Sequence, residues 1–284
     1  MSGTLGLVAD LLPSSWVDGP GNRFVVFLQG CDFDCVACHN PQTINPCTSC
    51  GDCLAGCSSG ALSLVDGAMR WEAATCTGGD ACIAACSFDS SPKARWLSVD
   101  DVVEHIRRAA PFISGVTVSG GEATQQPRFV AELFGALAAH PQLGHLSRLV
   151  DTNGGAPLDV WDRLAPVTHG FLVDLKAFDP EVHERLTGRP LAPVLGSLRH
   201  LAGLGLLREV RMLLVDGVND DPATVGDAAS WLAAVAPDTR VQLTSFRCHG
   251  VRPTTMTLGA PRSERMQLLA QVVEAAGLPR PVVV

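Results

Sequence analysis

Ten of the eleven cysteines fall between Cys31 and Cys86, and only Cys248 lies outside that stretch. The first three form Cys31-Asp-Phe-Asp-Cys35-Val-Ala-Cys38, a Cys-x3-Cys-x2-Cys array directly behind an apolar run at 23–29 that reads as a buried strand. Three thiolates on one tight loop can hold three corners of a [4Fe–4S] cube, and four are needed to close it. One iron is then left open to a substrate. The competing reading is a structural zinc knuckle, which needs four ligands in paired short spacings.

The other seven lie in a stretch rich in glycine and serine, from about 45 to 91, that reads as an insert. Cys47-x2-Cys50-x2-Cys53-x3-Cys57 is the bacterial ferredoxin run, in which three cysteines serve one cluster and the fourth serves another. Overlaying Cys76, Cys82 and Cys86 on the same run puts them at its first, third and fourth positions, with Gly79 at the second. The ligand swap then completes one cube with Cys47, Cys50, Cys53 and Cys86. It leaves the other with Cys57, Cys76 and Cys82 alone. Asp80, next to the gap, could supply an oxygen ligand; alternatively the site loses an iron or holds water. Ser58 and Ser87 stand where proline usually follows the fourth cysteine. Two zinc knuckles are the rival, and the uninterrupted first run favours iron–sulfur.

These loops need a scaffold, and from Ser98 onward strands and helices alternate. Ser98 and Asp101 make a capping box for a helix to about 110. Strands are expected at 115–119, 147–151, 170–175, 209–215 and 241–246, and a last one at 282–284. Helices are expected at 127–139, 158–164, 180–186, 192–202, 224–235 and 262–276. Counting from Arg23 gives six strand–helix units, with each polar motif at a strand's C-terminal end, where barrel folds keep their chemistry. The expected fold is α/β: an open, partial (β/α)6 barrel with an inserted ferredoxin-like dicluster unit. Its parts are 1–44 (lead-in, first strand and cysteine loop), 45–92 (insert) and 93–284 (the rest of the barrel). The lead-in is expected to be turn-rich, through Pro13-Ser-Ser15 and Asp18-Gly-Pro-Gly21.

The Cys-x3-Cys-x2-Cys array resembles the hallmark of the radical S-adenosylmethionine (SAM) superfamily. Its flanks, Trp16-Val-Asp-Gly-Pro-Gly21, Leu28-Gln-Gly-Cys31 and Cys38-His-Asn-Pro41, resemble the glycyl-radical-enzyme activases, most closely the YjjW-type branch. The likeness runs from about 8 to 251 through six ordered motifs. It implies that Cys31, Cys35 and Cys38 are the catalytic cluster ligands and that SAM chelates the open iron. Gly120-Gly121-Glu122 would meet the SAM ammonium through Glu122 or adjacent carbonyls; as a lone tripeptide it reads as a turn. Asp151 and Asp174, with Leu175 between the latter and Lys176, would contact ribose or a monovalent cation, or merely cap the next turn. Lys176 and Arg211 would pair with the SAM carboxylate; an internal salt bridge is the rival for Arg211. His39 follows a cluster cysteine. Two positions depart from the family pattern. Ala37 replaces an aromatic residue beside the third cysteine, and Arg247 stands where a histidine follows Phe246, so His249 either takes over an adenine-side contact or the role is absent. The implied reaction is one-electron cleavage of SAM to methionine and a 5′-deoxyadenosyl radical, which takes a hydrogen from a glycine of a partner glycyl-radical enzyme under anaerobic conditions. Two auxiliary clusters and a donor such as flavodoxin or ferredoxin would feed the electron.

Composition narrows the field. A net charge of −8 and pI near 5.4 argue against a nucleic-acid surface. No apolar run approaches the roughly 18 residues that cross a bilayer. The first residues carry no basic start, which with the cysteine usage points to a reducing cytoplasm. Two lysines, Lys93 and Lys176, stand against nineteen arginines, marking positions where a compact ammonium is wanted. Two other functions remain open: a radical SAM enzyme acting directly on a peptide or small molecule, and a ferredoxin-like electron carrier, which leaves the barrel unexplained.

Overall fold

The computed structural model describes residues 3–255 and 257–284, so the first two residues of the expected lead-in lie outside the described residues. In chain order the elements are β1 (Leu5–Ser15), β2 (Arg23–Leu28), β3 (Leu62–Val65), β4 (Ala68–Trp71), α1 (Ala81–Ala84), β5 (Arg95–Ser98), α2 (Val99–Ala109) and β6 (Gly115–Gly120). There follow α3 (Pro127–Ala139), β7 (Ser147–Thr152), α4 (Leu158–Leu164), β8 (Gly170–Asp174), α5 (Pro180–Thr187) and α6 (Ala192–Gly203). The chain closes with β9 (Leu207–Leu214), α7 (Pro222–Val235), β10 (Arg240–Ser245), α8 (Ser263–Ala275) and β11 (Val282–Val283). Nine strands form one sheet in the order β11-β10-β9-β8-β7-β6-β2-β1-β5. From β2 to β10 the neighbours are parallel, and β1 is antiparallel to both β2 and β5. Among the described residues the end strands do not pair, so the sheet is open, with the six expected parallel units.

The sequence explains why these strands lie inside. β2 is Arg-Phe-Val-Val-Phe-Leu with five of its six residues buried, the near-continuous apolar run of a strand covered on both faces. α3 packs Phe129, Val130, Leu133, Phe134 and Leu137 inward at helical spacing. The capping box at α2 forms as expected: the Asp101 amide donates to Ser98 Oγ at 3.1 Å and the Ser98 amide to Asp101 Oδ2 at 3.0 Å. At the N-terminal end of β2 the fully buried Arg23 donates to Thr117 Oγ1 and the Val116 carbonyl, both at 2.6 Å, and to Ser147 Oγ at 2.9 Å. A buried cation with every neighbour an acceptor ties three strands together at the end away from the chemistry.

Three elements differ from expectation. Residues 5–15 of the lead-in, Pro13-Ser-Ser15 included, are the long strand β1; of the two expected turns only Asp18-Gly-Pro-Gly21 lies in bends. Proline is allowed in the strand because β5 pairs only with Leu5 to Val8; past that point one edge of β1 is free, and Pro13 leaves no ladder bond unmade there. β5 was equally unexpected. Within the insert β3 and β4 form a hairpin turned by Asp66 and Gly67, both at positive φ (51° and 75°). Asp-Gly between short apolar runs is the sequence signal for that turn.

Candidate active site

A cavity of about 480 Å3 opens where the parallel strands end; β6, β7, β8, β9 and β10 each contribute residues to its wall, and β2 does so through the loop that follows it. Cys31, Cys35 and Cys38 line it from the loop after β2. That loop is fixed by backbone bonds on both flanks: Gly30 and Cys31 donate to Thr43 and Ile44 (2.8 and 2.9 Å), and Asp34 and Val36 donate to Thr187 and Leu186 (2.9 and 2.8 Å). Phe33 anchors its middle, buried edge-on to His183 at 6.1 Å.

The three thiols are unpaired. Burial raises Cys31 above the ordinary thiol range and pushes Cys35 up to about 12, with Lys176 opposing the shift at Cys35. Such thiols become thiolates only against a strong local cation, which iron would be. Nitrogen donors already face the sulfur of Cys31: the Phe33 amide at 3.4 Å and Asn153 Nδ2 at 3.9 Å. Donors to sulfur are a lever on iron–sulfur potential. An all-thiol set of three, half-buried and with N–H donors facing Cys31, fits a cube held at three corners.

Gly120 and Gly121 lead the chain from β6 across the mouth of β2. A Cβ at Gly121 would lie 2.4 Å from the Gly30 carbonyl oxygen and 2.6 Å from that of Thr43, so only glycine passes under the cysteine loop. Glu122, buried behind them, is a clasp. Its Oε1 accepts from the Thr124 amide (2.9 Å), Thr124 Oγ1 (2.6 Å) and Thr152 Oγ1 (2.7 Å), and its Oε2 from the Asn153 amide (2.7 Å). Burial pushes its carboxyl up to about 7 against these donors, which favour the anion. With four bonds made to β7 and its own turn, the carboxylate orients the strand ends, and Gly120, Gly121 and Glu122 together line the cavity.

Asp174 and Lys176 meet at 2.6 Å, both largely buried. Burial pulls the Lys176 ammonium down, but Asp174 and the Cys35 thiol outweigh it and hold it raised. Arg211 bonds Glu209 at 2.7 Å and Asp151 at 3.2 Å, and Ser119 Oγ donates to Asp151 at 2.8 Å. Burial pushes Asp151 up to about 6, with Arg211 opposing. The internal salt bridge weighed as the rival for Arg211 therefore exists, while Arg211 still faces the cavity. On the far wall Ala37 is buried against Phe246 and Val215. The His39 ring stacks on Phe246 (5.8 Å, 30°) and donates through Nε2 to the Arg247 carbonyl at 3.0 Å. Aromatic surface missing at 37 is thus present two residues on. His249 lies exposed at the rim.

One expected contact fails. Leu175 is buried in the core with its amide given to the Arg211 carbonyl (2.8 Å) and does not line the cavity. Alternation along the strand puts Asp174 and Lys176 on one face and Leu175 on the other. Asn153, which donates to Asp32 at 3.0 Å as well as to Cys31, was missed, as was Asp18 on the wall.

In the insert the cysteines fall into two groups. Cys47, Cys50, Cys53 and Cys86 line one small cavity, and Cys57, Cys76 and Cys82 another. Asp80 does not line the second. Its carboxylate is turned outward, 75% exposed, and held by Lys93 at 2.8 Å, which corrects its expected place as a ligand.

Arg252, another residue without a sequence motif, joins insert and barrel. It donates to Asp89 Oδ2 at 2.8 Å, the Cys35 carbonyl at 3.2 Å and Asp34. Arg252→Ala is expected to cost about 1–2 kcal/mol, discounted for the exposure of Asp34, a drop in Tm of about 2–8 °C. Arg252→Lys should not restore it, because one ammonium cannot span the three acceptors. Thermal melts of the three proteins check this.

A family model described as the radical SAM superfamily matches residues 25–226. The chain is 29% identical over 304 aligned positions to the benzylsuccinate synthase activating enzyme of Thauera aromatica, covering 96% of this chain and 91% of that protein. It is 31% identical over 237 positions to the (2S)-3-sulfopropanediol sulfolyase activating enzyme of Bilophila wadsworthia, 76% of each. Among solved structures, a domain of a pyruvate-formate lyase-activating enzyme from Bacteroides vulgatus is similar at a TM-score of 0.51 and 26% identity, over 60% of this chain and 99% of that one. A radical SAM methyltransferase from Sphaerobacter thermophilus shares the fold at a TM-score of 0.57 and 21% identity, over 92% and 66%.

Proposed function

This chain belongs to the radical SAM superfamily, and from that membership we propose that it is the activating enzyme of a glycyl-radical enzyme. The observation that carries the reading is the convergence of Cys31, Cys35 and Cys38 on one strand-end cavity with Lys176, Arg211, Gly120 and Gly121. Activating enzymes among the relatives, matched over most of their length, supply the reaction class. When bound, the cluster and SAM supply one-electron cleavage to methionine and a 5′-deoxyadenosyl radical that takes a hydrogen from the partner's glycine.

The chain's own residues do the rest. Lys176 and Arg211 bring positive charge to the SAM carboxylate, and the glycine carbonyls accept from its ammonium. Ser119, whose one O–H is given to Asp151, and the Asp151 carboxylate offer the ribose hydroxyls acceptors. His39, backed by Phe246, gives the adenine a flat face. The insert at 45–92 holds two auxiliary iron–sulfur clusters and is the entry for an electron from a flavodoxin or ferredoxin. Eleven unpaired cysteines suit a reducing cytoplasm, and no helix among the described residues is long and apolar enough to cross a membrane.

The test is anaerobic. The reconstituted, dithionite-reduced enzyme is mixed with SAM and a purified glycyl-radical enzyme, with benzylsuccinate synthase and pyruvate formate-lyase as first partners. Formation of 5′-deoxyadenosine together with a protein glycyl radical by EPR is the expected result. Deoxyadenosine without a glycyl radical on any partner would move the reading to direct action on a peptide or small molecule. No deoxyadenosine at all would leave an electron carrier.

A further inference from the structure

The second insert cavity holds three thiols, and what surrounds the gap is not a ligand but a cation and a passage. Gly79 stands where the ferredoxin run has its cysteine, yet a Cβ there meets nothing within 4 Å, so crowding does not explain the missing side chain. Lys93, one of only two lysines, reaches over the gap. Its Nζ donates to the Gly79 carbonyl at 3.0 Å and to Asp80 at 2.8 Å. Its side chain is only 15% exposed. An ammonium has three N–H bonds, and two are used. Asp80, turned away by that pairing, faces a groove of about 500 Å3 between the insert and the barrel. Cys76, Lys93 and Trp71 line both the thiol cavity and this groove. The buried Trp71 indole N–H is directed at the Cys76 sulfur and lowers the pKa of that thiol.

We propose that the Cys57, Cys76 and Cys82 cluster keeps one iron without a protein ligand, and that the position at Gly79 is a binding site for a small external thiolate admitted through the groove. This rests on reading the insert as iron–sulfur. Iron in such a cluster takes soft sulfur ligands, so a thiolate is the natural stand-in for the absent cysteine. Lys93 offers its third N–H and its charge to the incoming anion, while the Trp71 N–H is directed at the Cys76 sulfur. Lysine suits this task because its ammonium is a compact point charge on a flexible stem. Asp80 positions Lys93 rather than binding iron.

The probe is [13C]cyanide, an anion that occupies open iron and reports by 13C coupling in electron–nuclear double resonance. The protein is the full chain with Cys31, Cys35 and Cys38 changed to alanine, so that the open iron of the barrel cluster does not contribute. Reconstitution is expected to give about eight irons per chain. Reduction should then give one cluster with a 13C coupling. Added 2-mercaptoethanol should displace the cyanide. Gly79→Cys should abolish the coupling with iron retained, Asp80→Asn should leave it, and Lys93→Met should weaken cyanide binding about tenfold, equivalent to about 1.4 kcal/mol. The wild type saturated with SAM, which blocks the barrel site, should show the same coupling if the triple variant folds poorly. Eight irons without coupling, coupling that appears only in Asp80→Asn, coupling that survives Gly79→Cys, or a three-iron cluster at about seven irons would each overturn the open site. Cyanide that 2-mercaptoethanol does not displace overturns the thiolate assignment. Absence of iron from the insert defeats the iron–sulfur reading itself.

Discussion

Cys35→Ala is expected to abolish 5′-deoxyadenosine formation, leaving only the background of the reductant with SAM. Cys35 lies at the centre of the three-thiol loop, half-buried, beside Lys176 and with its carbonyl held by Arg252. Two thiolates cannot hold the cube that three hold, so iron should fall by about four per chain while the insert keeps its own. The loss is of the reacting centre and not of the fold, because the loop's backbone bonds to Thr43, Ile44, Leu186 and Thr187 do not involve the Cys35 sulfur. Cys50→Ala, in the insert, should lower iron by a similar amount yet leave some deoxyadenosine when dithionite reaches the barrel cluster directly. Cys248→Ala should change neither quantity, since Cys248 is exposed and lines none of the three thiol cavities. Equal residual activity in Cys35→Ala and Cys50→Ala would overturn the assignment of the barrel loop as the reacting site. Iron and sulfide counts alongside deoxyadenosine by chromatography settle the comparison.

How far the sequence carries this depends on what kind of constraint each residue obeys. The cysteine spacings are covalent rulers, so both the three-thiol loop and the division of the insert into four and three were legible before any coordinates. The six parallel units were equally so, since buried strands such as Phe24 to Leu28 and capped helices such as α2 declare themselves locally. β1 was not, because its pairing is made far away, with β5 and with the Gln126 side-chain amide, which exchanges bonds of 2.8 and 3.0 Å with the Leu7 backbone. Leu175 was carried along with its neighbours in a motif, and strict strand alternation would have excluded it. Asp80 looked like a ligand by adjacency. Only the position of Lys93, thirteen residues on, shows where its charge is spent. Arg252 and Asn153 carry no pattern at all; their importance comes from three-dimensional contacts with Cys35 and Cys31.

Glu122 should behave as a clasp and not as a simple ligand, and two substitutions separate the roles. Glu122→Ala leaves the Thr124 and Asn153 amides and two threonine hydroxyls without their acceptor in a buried site. Breaking a buried charged network in this way costs about 3–5 kcal/mol, which for a chain of this size lowers Tm by about 6–20 °C. Because the same bonds hold the end of β7 against the β6 turn, Asn153 loses its aim at Cys31, and SAM binding should fall with stability. Glu122→Gln keeps the shape and three acceptor contacts at one oxygen, but it sets an NH2 against the Asn153 amide. Its cost should be smaller, about 1–3 kcal/mol, with SAM affinity reduced in proportion to the loss of stability. The opposite pattern is informative. A Gln variant as stable as wild type that no longer binds SAM would mean that the carboxylate itself meets the ammonium, and the clasp would then be the lesser role. Calorimetric melts read against SAM titration of the anaerobically reconstituted proteins distinguish the two, because a clasp couples the measurements and a ligand separates them.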